Sequence, residues 1–67
     1  MKKRYFLFTV RVNQKMETHY IEMNGDKYIS IGDMAEYVFG DRSKRGFAVL
    51  FLKELSEKDF KDLVGHD

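Results

Sequence analysis

His19 and His66 are the two histidines of this 67-residue chain, and neither has a partner at metal-ligand spacing. The chain has no cysteine, so thiolate metal sites, disulfides and cysteine nucleophiles are excluded together. Ser30, Ser43 and Ser56 have no histidine near them in sequence to act as a base. The carboxylates Glu54, Glu57, Asp59 and Asp62 cluster where a last helix would begin, and there they complement its dipole and face water. Paired catalytic carboxylates need a cleft that shifts their pKa values, which so short a chain hardly provides. "NGDKYISIGD" contains glycines without the strand-to-helix spacing of a phosphate loop. No enzyme, metal or cofactor is expected.

Binding chemistry is better represented. Net charge is only +1, but the charges are segregated. Lys2, Lys3, Arg4, Arg11 and Lys15 precede any acid, six acids then face Lys27 alone up to residue 41, and Arg42, Lys44 and Arg45 form a second basic cluster. If Lys2, Lys3 and Arg4 lie near Arg42, Lys44 and Arg45, the six make one polyanion-binding patch. If not, they are solvated loop charges.

The second cluster leads into "RGFAVLFL", which resembles the main octapeptide of RNA-recognition motifs at Arg45, Gly46, Phe47 and Ala48. In that family strand aromatics stack on bases, and strict alternation would project Phe47 and Phe51 from one face. The resemblance is local. Val49 and Leu52 replace two aromatics of the pattern, and the β-α-β-β-α-β order of the family does not fit the elements below. A nucleic-acid-binding accessory role is therefore the alternative reading, with Phe47 and Phe51 as its stacking candidates.

The elements follow from periodicity. "RYFLFTVRV" alternates Phe6, Phe8, Val10 and Val12 against Tyr5, Leu7, Thr9 and Arg11, which predicts a strand over about 4–13. "METHYIEM" predicts a second over 17–24, with His19 beside Ile21 and Met23 on one side. Asn24-Gly25 suits a type I′ turn into a short return strand over 26–30. Ile31, Met34, Ala35, Val38 and Phe39 then fall on one helical stripe over 31–39, with Ser30 or Asp33 to cap it and Gly40 to end it. "GFAVLFLKEL" predicts a strand over 46–54. Ser56 and Asp59 open a helix over 56–64 that would bury Phe60, Leu63 and Val64 and stop at Gly65. The expected fold is a single α+β domain over 1–67, β-β-β-α-β-α, with a mainly antiparallel sheet.

Composition sets the limits. Hydrophobic residues at 43% and charged residues at 34% describe a soluble globular domain rather than a disordered chain. The apolar opening strand is interrupted by Arg11 and lacks a cleavage site, so it is neither a signal peptide nor a membrane span. A cysteine-free chain fits the cytoplasm. A domain this small buries only about 60% of its unfolded surface, and self-association is the reinforcement left open to it.

The strands are apolar on both sides: Phe47, Val49 and Phe51 against Ala48, Leu50 and Leu52, and Phe6 and Phe8 against Tyr5 and Leu7. Either the two helices straddle the sheet, or one sheet face is an exposed apolar surface. The ends "MKKRYFLFTVRV" and "VLFLKELSEKDFKDL", with the "NGD" segment between, resemble short bacterial reading frames of the phage or mobile-element kind. That resemblance implies a small accessory protein acting by contact, and it carries no site residues. The expected function is a non-enzymatic interaction module whose partner is itself or another protein, with no membrane and no metal involved.

Overall fold

The structure is a computed structural model and describes residues 2–65, so His66 lies outside the described residues. Its elements run β1 (Lys3–Val12), β2 (Lys15–Asn24), α1 (Ile31–Phe39), β3 (Phe47–Leu55) and α2 (Glu57–Val64). The three strands form one antiparallel sheet in the order β2-β1-β3. The expected α+β domain is present, but the order is β-β-α-β-α.

The strand expected over 26–30 is absent, whereas the hairpin loop between the first two strands falls close to the expected gap between 4–13 and 17–24. β1 and β2 are joined by the two residues Asn13-Gln14, with Val12 opposite Lys15. Asn13 takes a positive φ of 58°, which asparagine tolerates and which a two-residue hairpin loop demands. Gly25 also takes positive φ, but there the chain leaves the sheet after one bond from its N–H to the carbonyl of Lys2. Residues 26–30 cross over the sheet instead of pairing with it. Ile29 is buried in the core and the Tyr28 ring meets Phe6 edge-on at 4.9 Å, so side-chain burial outweighs another ladder of hydrogen bonds.

α1 begins with a complete capping box. The Ser30 hydroxyl accepts from the backbone of Asp33, and the Asp33 carboxylate accepts from the backbone of Ser30. Gly40 closes the helix in the left-handed conformation, at φ 77°. In α2, Ser56 accepts from the backbone of Asp59.

Phe6, Phe8 and Val10 are fully buried against Ile29 and Met34, under α1. Val12, Ile21, Val38, Phe47, Val49 and Leu52 pack around them. Tyr5, on the opposite side of β1, packs its ring 4.7 Å from Phe60 of α2. The helices therefore lie on opposite faces of the sheet, but unequally. α2 buries no residue fully, and Leu63 and Val64, expected inside, are about half exposed.

β3 breaks the expected alternation. Val49 lies opposite Val10, yet Phe51 lies opposite the adjacent Thr9, so Leu50 is an extra residue forming a bulge. Side chains beyond it change sides. Phe47, Val49 and Leu52 face α1, whereas Ala48 and Phe51 face the other way. Phe47 and Phe51 do not share a face.

Candidate interaction surface

The sheet face that carries α2 is built from Met16, Thr18, Tyr20 and Glu22 of β2, Tyr5, Leu7, Thr9 and Arg11 of β1, and Ala48, Phe51, Lys53 and Leu55 of β3. β3 ends beside the start of β1, so α2 springs back over that end, and Phe60 packs on Tyr5 and Tyr20. The hairpin end of the same face is uncovered. Met16 is 67% exposed, Leu50 50% and Phe51 49%. A hydroxyl–hydroxyl bond of 2.9 Å between Thr9 and Thr18 holds the centre flat. Arg11 and Lys53 supply the only charges among these uncovered side chains.

The six basic residues do not form one patch. Tyr5 pairs with Leu55 and Val12 with Phe47, so Lys2, Lys3 and Arg4 stand at one end of the sheet. The loop of Arg42, Lys44 and Arg45 enters β3 at the other. The eight residue steps from Arg4 to Val12 span roughly 27 Å, beyond the screening length in physiological salt.

Most of these charges also have partners. Lys2 lies 3.8 Å from Asp26 and Lys3 2.7 Å from Glu22. Arg4 donates a fork of two 2.8 Å bonds to Glu54, a third bond to the Asp26 carbonyl, and lies over the Tyr28 ring at 5.4 Å. Arg42 donates to Asp33 and Glu36. Its guanidinium lies 3.0 Å from where a side chain on Gly32 would begin. Arg45 turns back to the carbonyls of Arg42 and Lys44, and Lys44 lies 5.5 Å over the ring of Phe39. Among the described residues, no carboxylate lies within ion-pair reach of Lys44 or Arg45. Phe47, the first stacking candidate, is partly buried and packs 5.4 Å from Phe39 on the α1 side of the sheet. Phe51 is open.

The Arg4–Glu54 fork was not legible in the sequence, because it depends on the register of β1 with β3. It also lines an open groove of about 910 Å3 beneath α2, together with Lys3, Glu22, Glu57 and Lys61. Those charges cancel in pairs, because Lys61 binds Glu57 at 2.9 Å, so the groove has no net field to select an ion. His19 stacks beside Phe8 and Tyr37 and bonds Glu17 through Nε2 at 3.0 Å. Among the described residues, no three His, Cys, Asp or Glu side chains are grouped to hold a metal ion. No described helix is long and apolar enough to cross a membrane.

These pairs make stability depend on acid. Bonds from Arg42 and from Ser30 hold the Asp33 carboxyl below its ordinary value. Ser43 does the same for Asp41, Arg4 for Glu54 and Lys61 for Glu57. A carboxyl whose folded pKa is depressed stabilises the fold above its unfolded pKa, and that contribution is lost as pH falls through the folded value. The thermal midpoint is expected to be level from about pH 8 to 5.5 and to fall below about pH 4.5, with a shallower fall in Glu54→Gln. A midpoint unchanged at about pH 3 would show that these pairs contribute nothing.

No protein-family model, no curated protein and no solved structure matches this chain.

Proposed function

We propose that this chain is a non-enzymatic contact module that self-associates through the uncovered half of its sheet. The observation that carries the reading is the cluster of Met16, Leu50 and Phe51 on the open half of one face, each half exposed or more. Single exposed apolar residues are ordinary, but three large ones on one open half of a sheet face, Met16 on β2 and Leu50 with Phe51 on β3, with Thr9 and Arg11 of β1 between them, favour a covering partner. A core of this size gains from a second subunit. The small accessory role implied by the resemblance agrees with action by contact, and a cysteine-free composition supports the cytoplasm as its place.

The alternative, phosphate binding, is supported by Lys44 and Arg45 alone, now that the two basic clusters lie apart. One experiment separates the two readings. Sedimentation velocity is expected to show a sedimentation coefficient that rises with protein concentration and is insensitive to added single-stranded oligonucleotide. A monomer at every concentration overturns self-association. A complex with the oligonucleotide that dissociates steeply with salt would put the phosphate reading in its place.

A further inference from the structure

The free edge of β2 is not neutral backbone, and its hydrogen-bonding phase can be derived. In an antiparallel ladder, alternate residues turn both main-chain groups toward the neighbour and the rest turn both away. Lys15 closes a two-residue loop opposite Val12, and Gly25 donates to Lys2, so the odd residues of β2 bond to β1. The even residues Met16, Thr18, Tyr20, Glu22 and Asn24 therefore present N–H and C=O outward. The hydroxyl of Tyr37 independently confirms the phase, because it reaches the Tyr20 carbonyl from outside at 3.4 Å.

The two sheet edges are not equivalent. β3 is bulged at Leu50, which interrupts a template for pairing. β2 pairs along all ten residues without irregularity, and its outer edge carries no proline. A bare, regular edge of that length commonly accepts another strand.

We propose that two copies join edge to edge through antiparallel β2 strands, with the two-fold axis at Thr18, extending the sheet across both subunits. This inference rests on the self-association reading but moves the contact from the open face to its β2 edge, where Met16 takes part and Leu50 and Phe51 do not. Because the axis is perpendicular to the sheet, like faces continue across the seam and only registers centred on one residue need comparison. Centring on Glu17 sets that carboxylate against its own copy and Lys15 against His19. Centring on His19 sets Met16 against Glu22 and Glu17 against Ile21. Centring on Tyr20 sets Glu17 against Met23 and Thr18 against Glu22.

Centring on Thr18 sets Glu17 against His19 of the second copy, Met16 against its Tyr20, and Thr18 against Thr18. Apolar meets apolar at Met16 and Tyr20, hydroxyl meets hydroxyl at Thr18, and the Glu17 carboxylate meets an imidazole that can donate a hydrogen bond to it, with Lys15 against Ile21 the one unlike pair at the ends. Met16, Thr18 and Tyr20 are also the residues whose main-chain groups point outward, so each exchanges its bonds with the second copy. Tyr37 has to release the Tyr20 carbonyl. Its bond is long and its side chain half exposed, so the release costs little.

The absence of cysteine makes the test clean. Opposed residues of a hydrogen-bonded antiparallel pair have Cα atoms about 5.5 Å apart, within disulfide range. Under mild oxidation Thr18→Cys is expected to convert mostly to a linked dimer while Phe51→Cys stays monomeric. Crosslinking at Phe51 and not at Thr18 would leave self-association standing and overturn the edge geometry. Equal crosslinking at both positions would mean random collision and also overturns it, and a monomer by sedimentation with neither linked removes both readings.

A second pair of variants keeps the test valid if Thr18→Cys folds poorly. Glu17→Arg is expected to weaken dimerisation about tenfold, since the pair occurs twice across the axis. Exchanging the two residues, Glu17→His with His19→Glu, restores it. Failure of the exchange to restore association overturns the register.

Discussion

Phe8→Ala is expected to cost the domain a third or more of its stability at 25 °C. Phe8 is fully buried at the centre of β1, between His19 on β2 and Leu52 on β3, and its ring meets Tyr37 edge-on from α1. Truncating such a ring costs about 3–5 kcal/mol in lost transfer and cavity formation. At about 0.05–0.15 kcal/mol per residue, 67 residues have a total stability of roughly 3–10 kcal/mol. The single change therefore removes between a third and all of it. Urea titration followed by far-ultraviolet circular dichroism measures the loss. Phe51→Ala is the control, with an expected cost below about 1 kcal/mol because half of that ring already faces water. Equal losses for the two would mean that β3 does not turn over at Leu50.

Met16→Glu is expected to abolish self-association at concentrations where the parent chain is dimeric, without loss of folding. Among the described residues Met16 is the most exposed of the large apolar ones, and it lies on the uncovered face directly opposite Arg11. Burying a methionine side chain is worth about 1.5–3 kcal/mol, and a two-fold dimer buries two, so dissociation strengthens by at least about a hundredfold. The new carboxylate gains Arg11 as a cross-strand partner within its own chain, so the monomer keeps its stability. Sedimentation and the urea midpoint together check both halves of this outcome. Phe51→Glu, on the far strand of the same face, leaves an edge-joined dimer intact and disrupts a dimer stacked face to face.

Local signals carried the helices and the periodic strands well. Ser30, Asp33 and Gly40 mark α1 at both ends by cap chemistry that belongs to a few neighbouring residues. Tertiary burial decided the rest. The loop between the first two strands was legible as a gap in the periodicity, but Asn24-Gly25, with the better turn chemistry, starts no return strand, because Ile29 is buried where the chain crosses the core. Leu63 and Val64 keep a helical stripe, but α2 rests on the end of the sheet through Phe60, and the stripe overhangs it. Of the site, the basic residues were readable by type. Their separation was not, because it depends on the antiparallel register of β1 with β3.

The bulge in β3 has a consequence for how the domain assembles. All six residues from Phe47 to Leu52 are apolar, so sliding this strand by one position exchanges one greasy side chain for another and loses little burial. Nothing inside the segment selects its reading frame. The frame is imposed from outside, by Phe47 against Phe39 at one end and by Leu55 beside Tyr5 at the other. Both anchors are met only if one residue is left over, and Leu50 is that slack. β3 is thus a strand held between two fixed points, one against α1 and one beside the start of β1, that accommodates a frame error in its middle and none at its ends.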